Sequence, residues 1–157
     1  MILINGVQNI SDVFSIFHDG DIIKYEVEGS NLKLFIHIQY LAERISTEYR
    51  IFKLSLVGLN KIEFSPWFDD LNRTEPPITN IEKIFRPKLE VLSSKVEGNA
   101  LFVCFNQAEP GHGYCGGDIR MEVKAATVQD EGGKYYSFDQ LEALCSSYWK
   151  EWSDKNS

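Results

Sequence analysis

The chain has 157 residues, 43% of them hydrophobic and 25% charged, with 16 basic against 23 acidic side chains and a net charge of −7. That length suits one domain with a real core, and 13% aromatic residues argue against a disordered chain. The acidic balance, with no long basic run, argues against nucleic acid as a partner, because phosphates need a local basic patch.

In chain order, "NISDVFSIFHDG" opens with a short helix. Ser11 or Asp12 is placed to cap it, Val13, Phe14, Ile16 and Phe17 supply its apolar face, and Gly20 is placed to end it in the left-handed conformation. In "DIIKYEVEGSNLKLFIHIQY", Ile23, Tyr25 and Val27 alternate with Lys24, Glu26 and Glu28, which predicts a strand with one buried face. "EGSN" is a turn, and Leu32, Leu34, Ile36 and Ile38 alternate along a second strand whose other side carries Phe35 and His37. A third strand runs through Phe52, Leu54 and Leu56 and continues past Gly58 and Asn60 to Ile62 and Phe64. Residues 66–80 hold three prolines and read as a long loop, and "NIEKIF" forms a helical turn stopped by Pro87.

A similar pattern then returns. Leu92 and Val96, the turn "VEGN", and Leu101, Val103 and Phe105 give strand, turn and strand, followed by a strand through Ile119, Met121 and Val123. Sliding the first half by 69 positions sets Val27 on Val96, Glu28 on Glu97, Gly29 on Gly98 and Leu32 on Leu101. The same ungapped shift sets Phe52 on Met121 and Leu54 on Val123. The phase of alternation agrees in both halves, and phase decides which side chains meet the core. The last element is a helix, "SFDQLEALCSSYWKEW", with a Ser137–Gln140 capping box and one face of Leu141, Leu144, Cys145, Tyr148 and Trp152 expected to lie on a sheet. The expected architecture is a single α+β domain over residues 1–157, mostly antiparallel β, with two related three-strand meanders packed by a C-terminal helix.

"GHGYCGGD", residues 111–118, looks most like chemistry. His112 and Cys115 could form half of a zinc site, but no second close pair exists; Cys104, Cys145, His18 and His37 would have to converge singly. Cys115, His112 and Asp118 have the chemistry of an activated nucleophile. The simpler expectation is a glycine-rich hairpin connection, since residues 111–118 fall where the second strand of a meander meets the third. "FHDGD" offers His18, Asp19 and Asp21, for which a helix exit is the plainer reading. "PWFDD" places Trp67 and Phe68 beside Asp69 and Asp70, aromatic anchors next to charge, as a protein-binding patch uses. Trp67 tucked into the core is the competing expectation.

The stretch "FHDGDIIKYEVEGSNLKLFIHI", Phe17 to Ile38, resembles the start of small bacterial domain families of unknown function. In these a Phe-His-Asp-Gly or Phe-His-Asp-Ala precedes a strand hairpin, and some resemble immunity proteins of toxin systems. The resemblance implies a cytoplasmic, β-rich protein with a protein partner, and it carries over no catalytic residues, because none is established for the pattern. Three unpaired cysteines, no secretory leader pattern and no run of about 18 apolar residues also point to a reducing cytoplasm and away from membranes. The functional expectation is a small acidic, non-catalytic protein-binding domain without cofactor or metal. Its partner would be another protein, such as a basic toxin domain inhibited by an immunity protein. A zinc-binding or Cys/His-dependent enzyme centred on GHGYCGG is the alternative.

Overall fold

The structure, a computed structural model, describes residues 1–157. In chain order it contains β1 (Ile4–Asn5), α1 (Val7–Ile16), β2 (Asp21–Glu28), β3 (Asn31–His37), α2 (Gln39–Ala42), β4 (Ile51–Val57) and β5 (Lys61–Phe68). There follow α3 (Ile81–Ile84), β6 (Leu89–Glu97), β7 (Ala100–Gln107), β8 (Tyr114–Glu122), β9 (Ala125–Gln129), β10 (Tyr135–Tyr136) and α4 (Phe138–Lys155). The fold is α+β. Ten strands form one antiparallel sheet in the order β1-β9-β4-β3-β2-β6-β7-β8-β5, with β10 on β9.

Two meanders, β2-β3-β4 and β6-β7-β8, make up most of this sheet. Their first hairpins turn on Gly29 (φ 61°) and Gly98 (φ 63°), backbone angles that a side chain disfavours. The strand expected to run unbroken through Gly58 does not. Gly58 (φ 67°) ends β4, and the chain crosses to pair β5 with β8 in the other half. β9 makes the reciprocal crossing, from the end of β8 to β4. Matching hydrogen bonds tie the crossings together: Asn60 N–H donates to the Glu122 carbonyl at 2.8 Å and Lys124 N–H to the Val57 carbonyl at 3.0 Å. The halves therefore exchange their fourth strands.

Register refines the internal repeat. Leu32 faces Leu56 and Leu101 faces Met121, so Met121 corresponds to Leu56, not to Phe52, and Val123 lies in the crossing rather than in a strand. The 69-residue shift slips here because the connection before β8 is shorter than the one before β4. The helices repeat too: "ISDVFSIF" of α1 and "ITNIEKIF" of α3 each lead into the first strand of a meander. β2 meets β6 only at Asp21–Glu90 and Ile22–Leu89, and since the 69-residue shift makes Asp21 and Glu90 equivalent, the halves meet antiparallel at matching positions.

Each of these two strands carries a bulge just past that pair, at Ile23 and at Leu92. A bulge adds one residue against the partner and moves a side chain off its face. Ile22 and Val91 are therefore buried, while Ile23 and Leu92 stand 53% and 39% exposed, contrary to the strict alternation expected through Ile23. Tyr25 and Val27 keep the expected phase, opposite Leu34 and Leu32, yet Val27 stays exposed where β2 and β6 diverge.

A cluster of 29 buried hydrophobic residues draws on both halves. α1 and its C-cap residue fill much of it: Ile10, Val13, Phe14 and the C-cap Phe17 are fully buried, each contributing about 1.5–3 kcal/mol by leaving water. α1 starts earlier than the capping expectation, at Val7. Ser11 sits inside the helix, buried, with its hydroxyl 2.8 Å from that of Ser94 on β6. Asp19 (φ 68°), not Gly20, adopts the left-handed angle. Gly20 is needed for space, since a Cβ there would meet Ile36 Cγ2 at 2.7 Å. α4 begins with the expected capping box: Gln140 N–H donates to Ser137 Oγ at 3.2 Å and Ser137 N–H to Gln140 Oε1 at 2.8 Å. It inserts Leu141 into the core and packs mainly on α1 and α2 rather than on the sheet. No helix is long and apolar enough to cross a membrane.

Candidate functional site

The two stretches singled out by sequence, "PWFDD" and "GHGYCGGD", meet at one end of the β5–β8 pair. Only residues 108–113 form the connection between β7 and β8; Tyr114 to Asp118 belong to β8, which corrects the expectation that all of 111–118 bridges two strands. Buried Gln107 shapes the connection, accepting from Glu109 N–H and donating to the Tyr114 carbonyl at 2.9 Å. Gly111 (φ 93°) and Gly113 (φ 80°) supply its turns.

Gly117 serves close approach instead, and Gly116 (φ 159°) serves both needs. Between Pro66–Gly117 and Phe68–Tyr114 the register shifts, so Cys115 and Gly116 together oppose Trp67 in a bulge on β8. On the outer face the Trp67 indole lies over Gly116, 3.1 Å from where a Cβ would stand. On the inner face the Phe64 ring occupies the space beside Gly117. Two bare strand residues let one aromatic ring settle on each face of the sheet.

Trp67 is fixed further by polar contacts. Its indole N–H donates to Asp118 Oδ2 at 3.0 Å, and the Cys104 thiol donates to Asp118 Oδ1 at 2.8 Å. Burial, then the bond to Asp118, holds the Cys104 thiol above its ordinary pKa. Cys115 points its thiol at the Trp67 carbonyl, 3.9 Å away. Asp69 N–H donates to the Gly113 carbonyl at 3.1 Å, so the turn after β5 is sewn to the glycine connection.

The four residues expected to bind a partner divide between two environments. Trp67 is 38% exposed and does not tuck into the core. Phe68 is half-buried on the other side, between the Tyr114 ring and the Arg73 guanidinium, which lies 4.3 Å from its ring centre. Asp69 and Asp70 are exposed, and Asp70 accepts from Asn72 N–H at 2.9 Å, closing the turn that carries Leu71, 96% exposed.

His112, Cys115 and Asp118 are not assembled as a catalytic group. Alternation and the bulge put Tyr114 on the inner face and Cys115 on the outer. His112 goes with Tyr114, 5.8 Å between ring centres, and faces Glu109 at 3.8 Å. Both oxygens of Asp118 serve Trp67 and Cys104. No three His, Cys, Asp or Glu side chains converge as a metal site. Cys145 is half-buried on α4, and burial raises its thiol pKa. His37 lies at the end of β3 between Asp21 and Ile51. Asp21 faces Lys88 at 3.9 Å.

His18 stacks on Trp149 of α4, 5.6 Å between centres, within an aromatic array of Tyr40, Tyr148, Trp149 and Trp152 that the sequence reading did not single out. Only the helical spacing within α4 signalled part of it. Burial, then Asp19, pushes the Tyr40 phenol above its ordinary pKa. A surface cleft of about 520 Å³ lies at the strand crossings, lined by Ser30, Asn60, Asn99, Glu122 and Lys124, and none of the sequence-predicted site residues borders it.

Comparison with known proteins finds no matching family model, no similar curated protein and no similar solved structure.

Proposed function

We propose that this chain is a non-catalytic protein-binding domain that docks through Trp67, Phe68, Asp69 and Asp70 onto a basic partner, in the manner of an immunity protein inhibiting a bacterial toxin. The observation that carries the reading is the setting of Trp67. A large aromatic side chain stands partly exposed yet held by its close approach to Gly116 and a hydrogen bond, beside an exposed acidic turn with Leu71 at its tip. Binding energy at protein interfaces concentrates in such anchors, and a side chain that is already ordered loses less entropy on docking. The net charge of −7 favours a basic partner and speeds encounter with one.

Affinity capture with the wild-type chain should recover a basic protein in stoichiometric amount. Trp67→Ala should weaken that complex about tenfold or more, and an Asp69→Asn, Asp70→Asn double variant should reduce its salt dependence. Trp149→Ala, on the helical side, should leave it intact. A captured protein that arrests growth when expressed alone, but not together with this chain, identifies it as a toxin. Recovery of no stoichiometric partner, or equal capture by Trp67→Ala, overturns the reading.

A further inference from the structure

We propose that Asp118 is the positioning residue of the docking site: its carboxylate, anchored on one oxygen by Cys104, holds the Trp67 indole on the other and so presets the anchor before a partner arrives. This rests on the docking reading of Trp67 given above.

Three elements contribute one group each. Cys104 on β7 and Asp118 on β8 are register partners, so their side chains stand side by side on the outer face. Trp67 on β5 reaches the same carboxylate across the β8 bulge. An ionised carboxylate accepts without donating, and here each oxygen meets one donor, 2.8 Å from Cys104 Sγ and 3.0 Å from Trp67 Nε1. The carboxylate cannot rotate without giving up one bond to improve the other. The indole is limited in two directions, by Gly116 beneath its ring and by Asp118 at its N–H. Lacking the carboxylate, the ring would keep the flat support and lose the bond that sets its angle. Holding the thiol protonated fits the same role, since Cys104 must remain a donor to act as the anchor.

The test reads the indole N–H groups of the free protein by ¹⁵N NMR. The three tryptophans give three such signals, two of them internal controls on α4. In Asp118→Ala the Trp67 signal should shift and its hydrogen exchange should quicken about tenfold, while Trp149 and Trp152 stay unchanged. Asp118→Asn should restore slow exchange, because its amide oxygen accepts the same bond. Cys104→Ala, which leaves the carboxylate in place, should quicken exchange by a smaller factor of about three and carries the test if Asp118→Ala does not fold. Wild-type exchange at Trp67 in the variant that folds overturns the proposal. No partner is needed, so a failure of the docking reading, seen as capture indifferent to Trp67→Ala, is told apart from a failure of this one.

Discussion

The ring of Phe64 lies where a side chain on Gly117 would have to stand: a Cβ there would come within 2.6 Å of Phe64 Cε2 and within 2.6 Å of the Ser65 carbonyl oxygen. One of those neighbours is backbone and cannot swing aside. Gly117→Ala should therefore cost about 1–3 kcal/mol through overpacking, read as a lower urea midpoint with an unchanged slope. Gly111→Ala, in the connection with open space around it, carries only the penalty of its positive φ of 93° and should cost less. Equal stability of Gly117→Ala and wild type would show that the ring does not depend on the bare strand.

Glu151 joins α4 to the turn after α2. It accepts from Arg44 at 2.8 Å and from Lys155 at 2.9 Å, and these bonds lower its pKa from 4.5 to about 2. A lowered pKa means the unfolded chain takes up the proton first, so the contribution is present above pH 4.5 and is lost as pH falls towards about 2. Glu151→Gln should differ from wild type in stability at neutral pH and converge with it at the acid end of that window. The pair is solvent-exposed, so the difference should shrink in high salt. A constant gap from pH 6 to about pH 2 would disprove the linkage.

The three thiols should separate by reactivity. Cys115 is exposed on the outer face, whereas burial raises the pKa of both Cys104 and Cys145 and so depletes their thiolate. A chromogenic disulfide reagent at pH 7.5 should modify Cys115 first, and Cys115→Ser should remove the fast phase. Fast labelling of Cys104 in the folded protein is the opposite outcome.

Tyr136 donates to Asp130 Oδ2 at 2.8 Å, and Asp130, 3% exposed, also accepts from Lys134 N–H at 3.1 Å, closing the turn between β9 and β10. Tyr136→Phe leaves a buried carboxylate oxygen without its donor and should cost about 1–3 kcal/mol. Burial, then the bond to Asp130, raises the Tyr136 pKa. A raised acid stabilises the fold below the unfolded pKa and stops doing so as pH rises above it. In an alkaline absorbance titration Tyr136 should ionise later than an exposed tyrosine, together with unfolding. A Tyr136→Phe protein that keeps wild-type stability at pH 7 would count against the arrangement.

The proposed docking site was half legible. "PWFDD" declared an aromatic-acidic cluster by local composition, and Trp67 is indeed partly exposed. Its support was not legible. Trp67, Cys104 and Asp118 come from three strands, and nothing in the chain near Trp67 announces a carboxylate from β8. The glycines of "GHGYCGGD" were visible, but glycine answers two needs, unusual φ and close approach, which look the same in sequence. Gly111 and Gly113 meet the first, Gly117 the second, and Gly116 (φ 159°) both.

The sequence by itself determined what is local: the alternation of β3, β4 and β7, the Gly29 and Gly98 turns, and the Ser137–Gln140 cap. In each, neighbours in the chain are also the interacting groups. Tertiary structure alone decided the exchange of β5 and β9 between halves, the bulges at Ile23 and Leu92, and the role of α1 as the helix that fills the core. Alternation says which face of a strand is buried but not which strand lies beside it. A bulge is a property of two strands counted against each other, and so it has no signature in either one alone.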